Sequence, residues 1–255
     1  MKKAFFLLVL FTLVSPGGLR AAVQGSTVEY KDGDAVLEGY VAYDDAIQGV
    51  RPVVLVVHEW KGLNDYAQRR ADMLAGLGYL AFAVDMYGKG LRARDHQEAA
   101  KLSGVYRENR SLMRARASAA LDFIRTNERA DISRVAAIGY CFGGTTVLEM
   151  ARAGFDLAGV ASFHGALSAP VPAEKGAVKA KVLVFHGAMD KFIPAEEVEA
   201  FKKEMTEAEA DWEFVMFSKT VHSFTVAEAG DKPETGMAYN AVADHRSWDT
   251  LKLFL

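Results

Sequence analysis

Val135-Ala136-Ala137-Ile138-Gly139-Tyr140-Cys141-Phe142-Gly143-Gly144-Thr145-Thr146-Val147-Leu148-Glu149-Met150 is the stretch from which the rest of the chain takes its place. An apolar strand running into Gly-x-Cys-x-Gly and then a helix-like segment has the form of a nucleophile elbow, with cysteine where serine is more usual. The glycines have a steric reason. A sharp strand-to-helix turn strains the central residue, and side chains two positions before and after it would meet neighbouring backbone. The turn lifts the Cys141 sulfur above the sheet edge, at the start of a helix whose free N–H groups favour a thiolate. The plainer reading of a lone cysteine beside glycines is a buried structural thiol.

Working outward, Pro52 to Val57 is a continuous β-branched run, the mark of a strand buried on both faces of a mainly parallel sheet. Asn64 to Gly76 fits a helix capped by Asn64 or Asp65, with Met73, Leu74 and Leu77 on its buried face. The strand Leu80 to Val84 completes a β-α-β unit. Upstream, Ser26–Tyr30 and Val36–Tyr43 flank the turn Lys31-Asp32-Gly33-Asp34, which predicts an antiparallel pair. Downstream, Asp95–Thr126 is helical in character, and its arginines are expected to form a solvated face. Strands follow at Ala158–Phe163, Lys181–Phe185 and Trp212–Phe217. A helix begins near Pro194, and another is expected over Thr235–Leu255. The class is α/β: a mostly parallel eight-stranded sheet flanked by helices, with an antiparallel N-terminal strand pair.

The chain has 255 residues and a formal net charge of −3. That length suits one large domain, and the interspersed charges give no sign of a nucleic-acid surface. A small molecule is the expected partner, and a monomer the expected state. Met1-Lys2-Lys3, the apolar run Ala4–Val14 and then Ser15-Pro16-Gly17-Gly18 read as a leader over residues 1–22, with a single domain at 23–255. The leader predicts a secreted or periplasmic protein with no stable membrane association after cleavage. Cys141 is the chain's one cysteine, so an internal disulfide is impossible, and in an oxidising compartment it is a candidate reactive thiol.

Polar residues just past the C-terminal ends of parallel strands converge on one edge of the sheet. Cys141, Asp190 and His222 follow successive strands in the order nucleophile, acid, histidine. Histidine would take the thiol proton and return it to a leaving group, while aspartate holds the imidazole. Backbone N–H groups of Phe142 and Trp60 are the expected oxyanion donors. His58, His164 and His186 are expected to be satisfied structural residues, and His96 and His245 surface ones. No metal site and no cofactor is expected, because no histidine pair stands at helical ligand spacing around an acid.

Val57-His58-Glu59-Trp60-Lys61-Gly62-Leu63, Asp85-Met86-Tyr87-Gly88, Gly139–Gly144, His186-Gly187-Ala188-Met189-Asp190 and Val221-His222-Ser223-Phe224 together resemble the dienelactone hydrolase family of α/β hydrolases. The resemblance implies the α/β-hydrolase fold, a Cys141–His222–Asp190 triad and the opening of an ester or lactone through an acyl thioester. It also implies that Glu59 contacts the resting thiol and is displaced by substrate. Tyr87 and Lys89 become expected substrate contacts. The family's two carboxylate-binding arginines are matched here by Lys89, a point charge without the bidentate fork, and by Val226, which has no charge. Two other readings stay open on the residues: a thiol-based redox or stress protein, and a non-catalytic binding protein on a hydrolase fold.

Overall fold

The computed structural model describes residues 23–255, so the expected leader at 1–22 lies outside the described residues. Eight strands form one sheet in the order β1-β2-β4-β3-β5-β6-β7-β8. β1 (Val23–Asp32) and β2 (Ala35–Asp44) pair antiparallel from Val23↔Asp44 to Asp32↔Ala35. Gly33 turns the hairpin at φ +57°, a value open to glycine without steric cost. β2 joins β4 (Leu80–Val84) antiparallel. From there β3 (Arg51–Val57), β5 (Ala130–Tyr140), β6 (Gly159–Phe163), β7 (Lys181–Gly187) and β8 (Trp212–Phe217) run parallel to β4. Every parallel strand therefore ends on the same edge.

Alternation along the strands divides the interior. Val53, Leu55 and Val57 join a core with Phe82, Met113, Leu121, Val147 and Phe201 on one face, whereas Val54 and Val56 join Leu74, Ile138, Phe163 and Leu251 on the other. The first core is closed by α3 (Arg110–Arg125), α4 (Phe142–Arg152) and α5 (Ala195–Glu207), and the second by α1 (Asp65–Ala75) and α6 (Ala241–Phe254). Full burial of a side chain such as Leu74 stabilises by about 1.5–3 kcal/mol.

Several boundaries differ from the sequence reading, each for a local reason. Leu74 shares the buried face of α1 with Ala67 and Ala71, so Met73, one residue and about 100° away, is turned outward and is 42% exposed. Leu77 lies past the C-cap Gly76 and is also exposed. The expected helix over 95–126 is two helices, α2 (His96–Glu108) and α3. Asn109 ends the first and caps the second by accepting from the Leu112 N–H at 3.0 Å. Nor are its arginines simply solvated: Arg114 reaches the buried Glu149, and Arg116 pairs with Asp32 at 2.6 Å. Finally, α6 starts at Ala241, not near 235. Gly236, at φ +91°, turns the preceding chain into an extended strap, in which the His222 N–H donates to the Gly236 carbonyl and the Ala238 N–H donates to the His222 carbonyl.

Candidate active site

Cys141 stands between β5 and α4 at φ +52°, ψ −111°, a conformation that costs a non-glycine residue about 1–3 kcal/mol. Its N–H donates to the Phe163 carbonyl at 2.9 Å, and its own carbonyl accepts from the Thr145 N–H at 3.2 Å. Space for this turn depends on its glycines. A Cβ on Gly139 would lie 2.0 Å from the Gly143 carbonyl oxygen, and one on Gly143 would lie 2.1 Å from that of Val57. The strain is thus held by two close backbone approaches.

Asp190 follows β7, and His222 lies in the loop between β8 and the strap. Asp190 Oδ1 accepts from the Phe192 N–H at 2.9 Å, while Oδ2 bonds His222 Nδ1 at 2.8 Å. Both residues are buried. Burial alone would depress the imidazole, but the neighbouring Cys141 sulfur and the Asp190 carboxylate outweigh it and push His222 up to about 10. His222 also meets the rings of His164 and Phe192, at centroid separations of 5.0 and 5.3 Å.

The loop after β3 forms the opposite wall. His58 accepts the Met86 N–H on Nε2 at 3.2 Å, so its proton sits on Nδ1 and is donated to the Glu59 carbonyl at 2.5 Å. Burial pushes its pKa down to about 4, and the ring is neutral. Glu59 Oε1 is sealed from solvent with no partner among the described residues. Burial pushes this carboxyl up to about 7, opposed by His222 and Lys61. The Tyr87 hydroxyl donates to the Trp60 carbonyl at 2.9 Å and so fixes the Trp60–Lys61 peptide, while the His58 bond to the Glu59 carbonyl fixes the peptide before it. As the first residue of α4, Phe142 has an N–H with no intrahelical acceptor.

A family model of the dienelactone hydrolase family matches residues 37–255. The chain belongs to the dienelactone hydrolase family. A dienelactone hydrolase-like promiscuous phosphotriesterase from metagenomic libraries is 39% identical, with a TM-score of 0.87 over 91% of this chain and 98% of that one. A dienelactone hydrolase homologue from Klebsiella pneumoniae shares the fold at 21% identity, with a TM-score of 0.78 over 91% of this chain and 98% of its own. An Aquifex aeolicus protein provisionally named a carboxymethylenebutenolidase is 32% identical over 131 residues, 50% of this chain and 55% of that protein. The match thus spans little more than half of that relative's length.

Neither the expected substrate contacts Tyr87 and Lys89 nor Cys141, Asp190 and His222 line the cavity beside the site. A cavity of about 660 Å³ opens in front of the Glu59 loop, and its lining includes Glu59, Trp60, Lys61, His96, Val226 and Met237. Lys89 is not among its lining residues: the exposed ammonium pairs with Glu29 of β1 at 2.5 Å, because the Gly88–Lys89 turn bonds to β2 through the Val36 carbonyl. Tyr87 is buried behind Trp60, with its hydroxyl taken by that residue's carbonyl. Val226 does line the cavity, where the family pattern has an arginine. The sequence reading missed Lys61, a cation on the cavity wall that directly follows the expected oxyanion donor Trp60. His96, expected at the surface, is exposed and lines the cavity, its ring 5.2 Å from that of Trp60.

The histidines expected to be satisfied are so only in part. His58 uses both ring nitrogens, but His164 and His186 each keep a buried Nδ1 with no partner among the described residues. Among the described residues no group of three or more His, Cys, Asp or Glu side chains is arranged to hold a metal ion, and no helix there is long and apolar enough to cross a membrane.

Proposed function

We propose that this family hydrolase opens a small carboxylic ester or lactone through a covalent thioester at Cys141. The observation that carries the reading is His222 set between Asp190, at 2.8 Å, and the elbow thiol. His222 takes the thiol proton. The thiolate pair then forms an S–C bond to the substrate carbonyl carbon, and the π pair moves to oxygen, where the Phe142 and Trp60 N–H groups stabilise it. As the oxyanion collapses, the C–O bond breaks and the alkoxide leaves with the proton from His222. In a lactone the alcohol stays tethered to the acyl group. Water then gives a proton to His222 and attacks the thioester; breaking the C–S bond releases the acid and restores the thiolate.

Glu59 fits a gating role in the same scheme. Its buried Oε1 has no partner among the described residues, and as a carboxylate near His222 it would compete with the thiolate for the imidazolium until substrate enters. The relative at 39% identity makes phosphotriesters a second substrate class to include. Hydrolysis of p-nitrophenyl acetate and of an unsubstituted lactone tests the reading. Cys141→Ala and His222→Ala are expected to lose turnover by about a thousandfold or more, and wild-type turnover in either variant rejects it. Peroxide consumption with thiol recycling, in place of hydrolysis, would favour the redox alternative.

We also propose that the chain is exported, on the basic start and apolar centre of residues 1–22. Cell fractionation with intact-mass measurement is expected to find a shortened protein outside the cytoplasm, and a full-length cytoplasmic protein would contradict it.

A further inference from the structure

Besides Asp190, His222 rests on a second buried polar group that the triad does not use. The ring of His164 meets it at 5.0 Å with an interplanar angle of 64°. His164 directly follows β6, at φ +42°, and is fully buried. From its Nε2 a continuous hydrogen-bonded chain runs away from the reaction centre. His164 Nε2 lies 2.9 Å from Thr225 Oγ1, and Thr225 Oγ1 accepts from the Tyr66 hydroxyl at 2.7 Å. The Tyr66 oxygen accepts from Arg70 Nε at 3.2 Å. Arg70 Nη2 also donates to the Thr225 carbonyl at 3.1 Å and to Asp244 of α6 at 2.5 Å. The guanidinium is 5.2 Å from the centroids of both the Tyr66 and Trp248 rings.

Counting protons gives this chain a direction. Arg70 has only donors, so Tyr66 receives at its oxygen and spends its own hydrogen on Thr225. The Thr225 hydrogen then has one acceptor among the described residues, His164 Nε2. That bond fixes the His164 proton on Nδ1 and holds the ring as neutral imidazole, in agreement with the downward push of burial on its pKa. Resting on the reading of Cys141 and His222 as a reacting pair, we propose that Arg70, Tyr66, Thr225 and His164 form a directional hydrogen-bond relay that positions His222 for proton transfer with the thiol. Thr225 is its decisive link, the hydroxyl that converts a buried cation on α1 into a fixed ring beside the catalytic imidazole. The other groups facing His222 are Cys141 of the elbow, Asp190 and His186 of the β7 end, and Glu59 of the β3 loop. None of them hydrogen-bonds to Thr225, Tyr66 or Arg70, although Glu59 lies within electrostatic reach of Tyr66 and Arg70, and His186 of His164.

Thr225→Val keeps the shape and deletes the hydroxyl, and Thr225→Ser restores it. Two readouts separate this inference from the hydrolase reading. Alkylation of Cys141 by iodoacetamide at pH 7 reports the thiol–imidazole pair without turnover, and p-nitrophenyl acetate hydrolysis reports kcat and KM. In Thr225→Val both the alkylation rate and kcat are expected to fall about tenfold, the order of one lost hydrogen bond. KM should stay near the wild-type value, and Thr225→Ser should recover most of both rates. Wild-type alkylation and kcat in folded Thr225→Val overturn the relay. So does failure of the serine variant to recover either rate while it melts like wild type. Should Thr225→Val not fold, Tyr66→Phe removes the donor while keeping the ring, and unchanged alkylation there overturns the relay equally. A tenfold alkylation loss in a protein whose wild type hydrolyses no ester supports the relay and rejects the hydrolase reading alone.

Discussion

The two ends of α4 bury polar groups in opposite ways. At its C-terminal end Arg152 donates to Glu204 through Nε and Nη2 at 2.8 Å each, to Glu149 at 3.2 Å and to the Leu167 carbonyl at 2.6 Å. Glu149 takes two further bonds from Arg114, and Glu204 accepts the Ala173 N–H. At the N-terminal end, Cys141 sits at positive φ, Glu59 Oε1 and His164 Nδ1 lack partners among the described residues, and Glu59 and His222 titrate far from their ordinary values. One helix thus anchors a fully paired ion cluster that ties α3, α5 and the 166–178 loop together, and a set of groups held in unfavourable states. Saturated buried charge resists change, whereas unsaturated buried charge is ready to move a proton.

The contrast is broken most severely at Asp190. Asp190→Asn removes the charge that supports the imidazolium and is expected to lower kcat about a thousandfold or more. Its melting temperature should fall less than that of any variant at the other end of the helix, and a variant with near-normal kcat would remove Asp190 from the mechanism. Arg152→Met should do the reverse. Leaving Glu149 and Glu204 buried beside an apolar chain is expected to cost about 3–5 kcal/mol in urea unfolding, with kcat unchanged for the folded fraction. A loss under 1 kcal/mol would mean that the cluster is not the anchor described.

Glu59 gives a smaller effect with a definite pH dependence. Folded, it ionises near 7 in place of 4.5, so between those values the folded protein keeps a proton that the unfolded chain has released. Stability must therefore fall as pH rises from about 4.5 to about 7 and level off above. Glu59→Gln should flatten that decline and be more stable at pH 8, by about 3 kcal/mol at most. Parallel stability–pH curves for the two proteins would contradict the raised carboxyl. The smallest effect is expected at Lys89, whose ammonium is committed to Glu29 on the surface. Lys89→Ala should leave KM for ester and for carboxylate-bearing lactone unchanged, and a large rise in KM for the lactone alone would return this residue to the substrate site.

Much of the candidate site's edge was legible in the sequence, because it depends on local signals. The elbow glycines, the buried apolar strands and polar residues just past their ends each appear within a few positions of one another. Chain order then places Cys141, Asp190 and His222 on one edge. What supports that edge was not legible. Tyr66 and Thr225 are 159 residues apart and meet only when α1 packs beside the His222 loop. The strap over 236–240 reads as the start of a helix until its hydrogen bonds to His222 are seen. Arg114 and Arg152 resemble any solvated arginines of an amphipathic helix, since their acids come from other segments. The ion pair of Lys89 was hidden for the same reason: its partner Glu29 lies on the N-terminal hairpin, brought close by the pairing of β1 and β2.

Rapid mixing of the protein, its thiol shown to be reduced, with excess p-nitrophenyl acetate tests the covalent role of Cys141 most directly when intact mass is followed in parallel. The account predicts a burst of p-nitrophenol equal to one active site per chain and an acetyl adduct on Cys141, both absent in Cys141→Ala. Steady hydrolysis with no burst and no adduct, undiminished in Cys141→Ala, would contradict it.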